Sequence, residues 1–116
     1  MNDMYFLLNE DKSTSPCTRD EWANQWEGMV RSKTKHVAVD DIGVYRISTV
    51  WLGMNYNHHF GRPLIFETMI FKGESGMDIY CDRYTTWDEA LDGHKKAVAW
   101  VQKGCPEDID EQFNCD

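Results

Sequence analysis

The stretch that decides the fold is Arg46–Lys72, RISTVWLGMNYNHHFGRPLIFETMIFK, in which two apolar segments flank a polar and aromatic loop. The two segments, Val44–Met54 and Pro63–Phe71, are rich in the β-branched and aromatic residues that favour strands. The residues between them include Asn, Gly and Arg, as is typical of the loop of a β-hairpin. The sequence therefore predicts two antiparallel strands joined by the loop Asn55–Arg62.

The apolar pattern of this hairpin also predicts its register and two different faces. With Met54 opposite Pro63, one face carries an aromatic pair, a Thr pair and an Ile pair, namely Trp51 with Phe66, Thr49 with Thr68 and Ile47 with Ile70. Alternation sends the remaining residues to the opposite face, which is also mostly apolar. The predicted interface on that second face consists of Val50, Leu52, Met54, Ile65, Glu67, Met69 and Phe71.

The flanking segments supply two helices and further strands. Thr18–Glu21 and Thr86–Glu89 both have the T-x-x-E pattern of a capping box, and apolar residues at helical spacing follow each of them. Gly104 is expected to end the second helix. Strands are predicted at Met4–Leu8 and Met77–Tyr84, a short strand is compatible with His36–Val39, and turns are predicted at Glu10–Cys17 and Asp40–Gly43.

The order β-α-β-β-β-α predicts an α+β fold with an antiparallel sheet of three to five strands and two amphipathic helices packed on one face. Residues 1–104 form the single predicted domain, and residues 105–116 form an acidic C-terminal tail. Helices on one side leave the second apolar face uncovered, so we expect a homodimer or a partner protein there. The alternative, that the N-terminal segment and the tail fold over this face, stays open.

Composition and charge limit the possible partners. The chain has 116 residues and a formal net charge of −8, which argues against general nucleic-acid binding because phosphate contacts need clustered Lys and Arg. No apolar run is long enough to cross a membrane and no secretory signal is recognised, so a cytoplasmic location is expected. The same reasoning predicts reduced thiols at Cys17, Cys81, Cys105 and Cys115.

The hairpin loop is the candidate binding site for a ligand or partner. It combines stacking rings, amides and a cation in Asn55, Tyr56, Asn57, His58, His59, Phe60 and Arg62. A nucleotide base could stack on Tyr56 or Phe60 with a phosphate on Arg62, although no glycine-rich phosphate loop accompanies them. Adjacent histidines point apart on extended chain, so no metal site and no cofactor are predicted. Ordinary turn chemistry is the alternative explanation of this loop.

Two further residues invite a catalytic interpretation. Glu67 stands alone in an apolar strand, but its predicted neighbours on the second face, Arg46 and Ser48, favour a solvent-facing or partner-facing role. His94 lies on the apolar stripe of the last helix and is predicted to bond a carbonyl group, Thr49 or Thr68. Because no catalytic triad or carboxylate pair is recognisable from spacing, we predict that the protein is not an enzyme. A small hydrolase using Glu67 or His58 and His59 is the weakest alternative.

Several blocks of sequence resemble a family of small uncharacterised proteins encoded by bacteriophages and prophages. They are Ser48–Asn55 (STVWLGMN), Phe60–Phe71 (FGRPLIFETMIF), Arg83–Ala90 (RYTTWDEA) and Gly93-His94, and the resemblance spans roughly residues 44–101. The loop differs from the family pattern, since Asn55-Tyr56 stands where an Asp-His pair is usual. The resemblance implies a phage-type accessory protein in the bacterial cytoplasm.

Two functions are expected from these observations. The first is stoichiometric binding of a host protein, with a counter-defence inhibitor such as an anti-CRISPR as the example. The second is an oligomeric protein that sequesters a nucleotide immune signal through the loop.

Overall fold

The computed structural model describes residues 3–57, 61–73 and 77–105 of the chain. These residues form an α+β fold with two helices, a four-stranded antiparallel sheet and a two-stranded hairpin, which confirms the predicted fold class. The elements in chain order are β1 (Tyr5–Leu8), β2 (Thr14–Cys17), α1 (Arg19–Ser32), β3 (His36–Ile42), β4 (Tyr45–Trp51), β5 (Phe66–Lys72), β6 (Met77–Tyr84) and α2 (Trp87–Gln102).

Strands β4 and β5 pair in the register that their apolar pattern predicts. Ile47 lies opposite Ile70, Thr49 opposite Thr68, and Trp51 opposite Phe66. All six residues are at most 1% exposed. Strands β3 and β6 pair on the outside of this hairpin and give the sheet order β3-β4-β5-β6. The predicted hairpin is therefore the centre of the sheet and of the core.

Both helices begin with the capping boxes that the sequence predicts. The hydroxyls of Thr18 and Thr86 accept from the amides of Glu21 and Glu89, and each glutamate accepts in return from the amide of its threonine. Helix α2 ends before Gly104, whose φ of 87° is in the left-handed region that favours glycine. Local capping chemistry thus fixes both helix starts and the end of α2.

The two helices have different roles in the packing. Helix α2 packs on all four strands of the sheet and buries Ala90, Ala97 and Val101 against it. Helix α1 packs on β1 instead, and its Trp26 and Met29 contact the core cluster at the end of the sheet. We call the face that α2 covers the inner face, and the opposite one the outer face.

Two elements differ from the sequence prediction. The segment predicted as a polar turn contains β2, which pairs with β1 and places Pro16 opposite Phe6. A two-stranded hairpin tolerates proline on its free side, so composition alone does not exclude a strand here. Strand β3 continues through Asp40 and Asp41, for which the sequence predicts a turn, because the reversal comes later, at Gly43 with φ 59°.

Cys17 and Cys105 are free thiols, as expected. Cys81 is disulfide-bonded, so the expectation of four reduced thiols is wrong for this residue. That expectation came from the lack of a secretory signal, which says nothing about which sulfur atoms a fold brings together. Within the described ranges, no helix has the length and apolar character needed to cross a membrane.

Candidate functional site

The outer face of the sheet carries an open groove of about 690 Å³. Val50, Met69 and Phe71 supply apolar lining, and Ser48 and Glu67 supply polar groups. The groove exists because alternation along β4 and β5 sends these side chains away from the face that α2 covers. Its volume is in the range of sites that hold a small molecule or the side chains of a partner.

The predicted interface residues do not all belong to this groove. Val50, Glu67, Met69 and Phe71 line it, as the alternation of the strands predicts. Leu52 and Met54 are half-buried and lie outside the groove, at the end of the sheet. There Met54 forms an isolated antiparallel bridge with Tyr5 of β1, which joins this end of the sheet to the N-terminal hairpin.

The placement of Ile65 on the second face is wrong, because this residue is 0% exposed. The amides of Leu52 and Gly53 both donate to the Ile65 carbonyl, at 2.8 and 3.2 Å. Two donors on one carbonyl break the one-to-one pairing, so the alternation of β5 does not extend back to Ile65. The side chain packs instead in the core cluster with Phe6 and Trp51.

Glu67 is held by an ion pair on the outer face. Arg83 Nε donates to Glu67 Oε2 at 2.9 Å, and both side chains are only 13% exposed. The Arg83 guanidinium also lies 4.6 Å from the centre of the Tyr56 ring. The carboxylate therefore links β5, β6 and the start of the hairpin loop, which is a structural role.

Arg46 and Asp41 form a second ion pair on this face. Arg46 Nε donates to Asp41 Oδ1 at 2.8 Å, and this hydrogen bond holds the pKa of Asp41 below its ordinary value. The charged residues that line the groove are Lys35, Asp41, Arg46 and Glu67, two positive and two negative, so their charges sum to zero. The groove is thus electrically neutral in a chain whose net charge is −8.

The two ion pairs allow a matched test of how much each of them stabilises the fold. We expect Glu67→Ala to lower the free energy of unfolding by about 2 kcal/mol, because it leaves the largely buried Arg83 without its partner. Asp41→Ala should leave stability nearly unchanged, because that pair is solvent-exposed. Urea denaturation of both variants measures the difference. Equal losses of unfolding free energy in the two variants would show that burial does not make the Glu67–Arg83 pair more stabilising than the exposed pair.

Asn55, a predicted binding residue, is a structural residue of the loop. Its side chain is 6% exposed and its amide donates to the Asp3 carbonyl at 3.0 Å. Its side-chain oxygen accepts from the amides of Asn57 and Leu64, at 2.8 and 3.1 Å. Asn55 therefore ties both sides of the loop to the N-terminal segment, as buried amides commonly do.

The other described loop residues also contact the body of the protein. Tyr56 lies under Arg83, and Asn57 Nδ2 donates to the Arg62 carbonyl at 2.8 Å. Arg62 donates to both carboxylate oxygens of Glu89, at 2.8 Å each, and its hydrogen bonds lower the pKa of Glu89. These two hydrogen bonds use two of the five N–H donors of Arg62, whose side chain is 63% exposed. His58, His59 and Phe60 lie outside the described residues, and the binding role of the loop stays a prediction.

His94 joins a chain of hydrogen bonds through the core. Its Nδ1 lies 2.7 Å from Thr49 Oγ1, which confirms the predicted contact, and Thr49 Oγ1 lies 2.5 Å from Thr68 Oγ1. Its Nε2 lies 2.7 Å from Asp40 Oδ2. With the proton on Nε2, the imidazole donates to Asp40 and accepts from Thr49, so that both ring nitrogens are satisfied.

The chain Asp40–His94–Thr49 has the connectivity of a hydrolytic triad without its accessibility. Thr49 and Thr68 are both 0% exposed, so a substrate cannot reach either hydroxyl. The arrangement therefore fastens α2 to β3, β4 and β5. The sequence analysis does not find Asp40, the fourth member, because it predicts a turn at Asp40–Gly43. The alternation of Ala38, Asp40 and Ile42 would have put it on the inner face.

Within residues 3–57, 61–73 and 77–105, no cluster of three or more His, Cys, Asp or Glu side chains is arranged to hold a metal ion. Comparison of the chain with family models, curated proteins and solved structures found no match.

Proposed function

We propose that this chain is a non-enzymatic, phage-type accessory protein that binds a host protein stoichiometrically through the outer face of its sheet. The observation that carries the proposal is the open groove, in which Val50, Met69 and Phe71 remain accessible. Contiguous apolar patches on a small protein mark surfaces where a partner binds. Counter-defence inhibition, as by an anti-CRISPR, is the role suggested by the resemblance to phage-encoded proteins.

The chemistry of the groove supports binding more than catalysis. Its two carboxylates, Asp41 and Glu67, are held in ion pairs with Arg46 and Arg83. A general acid or base has to be free to exchange a proton with its substrate. Apolar side chains surrounded by satisfied polar groups are instead the usual anatomy of a protein interface.

The test is capture of host proteins by three forms of the immobilised protein. Wild type is expected to retain a specific protein at micromolar concentration. Met69→Asp should weaken retention at least tenfold, about 1.4 kcal/mol, because a charge is placed in the apolar part of the contact. Val30→Asp is the matched control, since Val30 is a 48% exposed apolar residue on α1.

The pattern across the three forms decides the outcome. Retention that is lost in Met69→Asp and kept in Val30→Asp supports the proposal. Equal retention by all three forms would place the contact elsewhere on the protein. Absence of any retained protein with wild type would reject binding of a host protein. Circular dichroism and thermal melting of each variant confirm that the fold is intact.

A further inference from the structure

The two edge strands of the sheet, β3 and β6, have features that disfavour the addition of a further strand. Strand β3 is irregular between His36 and Ala38, and the pairing of β5 with β6 shifts between Ile70 and Phe71. Bulges twist an edge away from regular pairing, and exposed charges such as Asp41 on β3 add to this effect. Association through the sheet is thus directed to the outer face.

Charge decides which surface can meet the outer face. The groove is neutral, because its Lys, Arg, Asp and Glu side chains cancel, whereas the chain as a whole carries −8. An apolar partner surface without net charge can therefore pack on it without leaving an uncompensated charge at the contact. The outer face of a second copy has this composition, and two such faces can meet without bringing net like charge into contact.

The outer face also offers an apolar projection beside its groove. Val44 is 60% exposed and lies in the tight turn between β3 and β4, a position that polar residues usually occupy. It also lines the rim of the groove. Val39, 43% exposed, lies opposite the groove residue Ser48 and extends the apolar surface toward the β3 edge.

We propose that the outer face packs on the outer face of a second copy, so that the free protein is a two-fold symmetric dimer. A projection and a groove on the same surface are what an isologous interface requires, because the symmetry axis places Val44 of each copy against the groove of the other. Two sheets that pack face to face then bury Val50, Met69 and Phe71 between them.

The dimer goes beyond the proposed function and uses the same surface. The second copy and the host protein compete for the groove, so the dimer has to open before the host protein binds. By mass action, self-association then weakens the apparent affinity for the host protein as the protein concentration rises. The dimer itself needs no host protein, and its test is independent of the capture experiment.

The experiment is sedimentation equilibrium of the purified full chain at concentrations up to about 100 µM. Wild type is expected to approach twice the chain mass of 13.6 kDa. Val50→Arg should remain monomeric, because two copies of the charge would meet in the apolar centre. Val44→Asp should raise the dissociation constant of the dimer at least tenfold. Because Val44 is exposed in a turn, this substitution should leave the fold intact, so that a weaker dimer reports on the interface. Val30→Arg on α1 should behave as wild type.

Two results would overturn the proposal. If the wild-type chain stays monomeric at the highest concentration, the proposed dimer does not form. A dimer that persists unchanged in both Val50→Arg and Val44→Asp uses another surface. In either case the capture of a host protein through Met69 would remain a separate result.

Discussion

Gly93→Ala is expected to destabilise the protein by about 3 kcal/mol, because the added methyl group has no room. A Cβ at Gly93 would lie 2.1 Å from the hydroxyl oxygen of Tyr84 and 2.2 Å from its Cζ. Gly93 is buried on the face of α2 that packs on the sheet, so neither the helix nor the ring can move away without opening the core. Urea denaturation monitored by tryptophan fluorescence measures the loss.

Gly28→Ala is the matched control. Gly28 is also inside a helix, but it is exposed and a Cβ there would have no atom within 4 Å. Alanine is the better helix former, so this change should stabilise the protein by roughly 0.5–1 kcal/mol. Opposite signs for the two substitutions are the expected result. Two changes of the same sign would contradict the contact between Gly93 and Tyr84.

A double mutant shows whether Tyr84 is the cause. Tyr84→Leu alone should destabilise the protein, because the ring packs against the core cluster. Adding Gly93→Ala to Tyr84→Leu should cost clearly less than adding it to wild type, since the atoms that clash have been removed. An equal cost in both backgrounds would assign the effect of Gly93→Ala to another neighbour.

Thr49→Val is expected to lower the free energy of unfolding by about 2–3 kcal/mol, although it keeps the shape of the side chain. The Thr49 hydroxyl lies between His94 Nδ1 and the Thr68 hydroxyl, and its removal takes the partner from both. The cost arises because His94 Nδ1 and the Thr68 hydroxyl each lose a hydrogen bond at a site that water does not reach. Chemical denaturation of the variant gives the number.

Two controls separate this network effect from loss of a hydroxyl in general. Thr34→Val removes an exposed hydroxyl that bonds Ser32, and it should leave stability nearly unchanged. The double change Thr49→Val with Thr68→Val should cost no more than Thr49→Val alone, because Thr68 then no longer needs a partner. Additive losses in the double variant would show that the two threonines act independently.

The sequence predicts the centre of this fold well because its signals there are local. Period-two alternation in β4 and β5 sets the inner and outer faces, and one pairing, Thr49 with Thr68, then sets the register. The T-x-x-E boxes mark both helix starts because the same four residues supply donor and acceptor. In these elements the residues that make up the sequence pattern are the same residues that contact one another in the structure.

The features that the sequence did not predict depend on distant contacts. Strand β2 forms because β1 offers it a partner, and composition alone indicated a turn. Ile65 lies in the core where its carbonyl accepts hydrogen bonds from two backbone amides. The alternation of a regular strand does not predict such an arrangement. Asp40 becomes the partner of His94, a residue 54 positions later in the chain. The outer groove was predicted in part, through Val50, Glu67, Met69 and Phe71, whereas the bridge between Met54 and Tyr5 at the end of the sheet was not predicted.

One carboxylate at the start of α2 serves two neighbours. Glu89 accepts from the Thr86 amide as part of the helix cap, and it also accepts both guanidinium hydrogen bonds of Arg62 at the end of the hairpin loop. The first turn of the helix and the closing end of the loop are therefore joined through a single side chain. Replacement of Glu89 would remove hydrogen bonds from the helix cap and from the loop together, although 27 positions separate Arg62 from Glu89 along the chain.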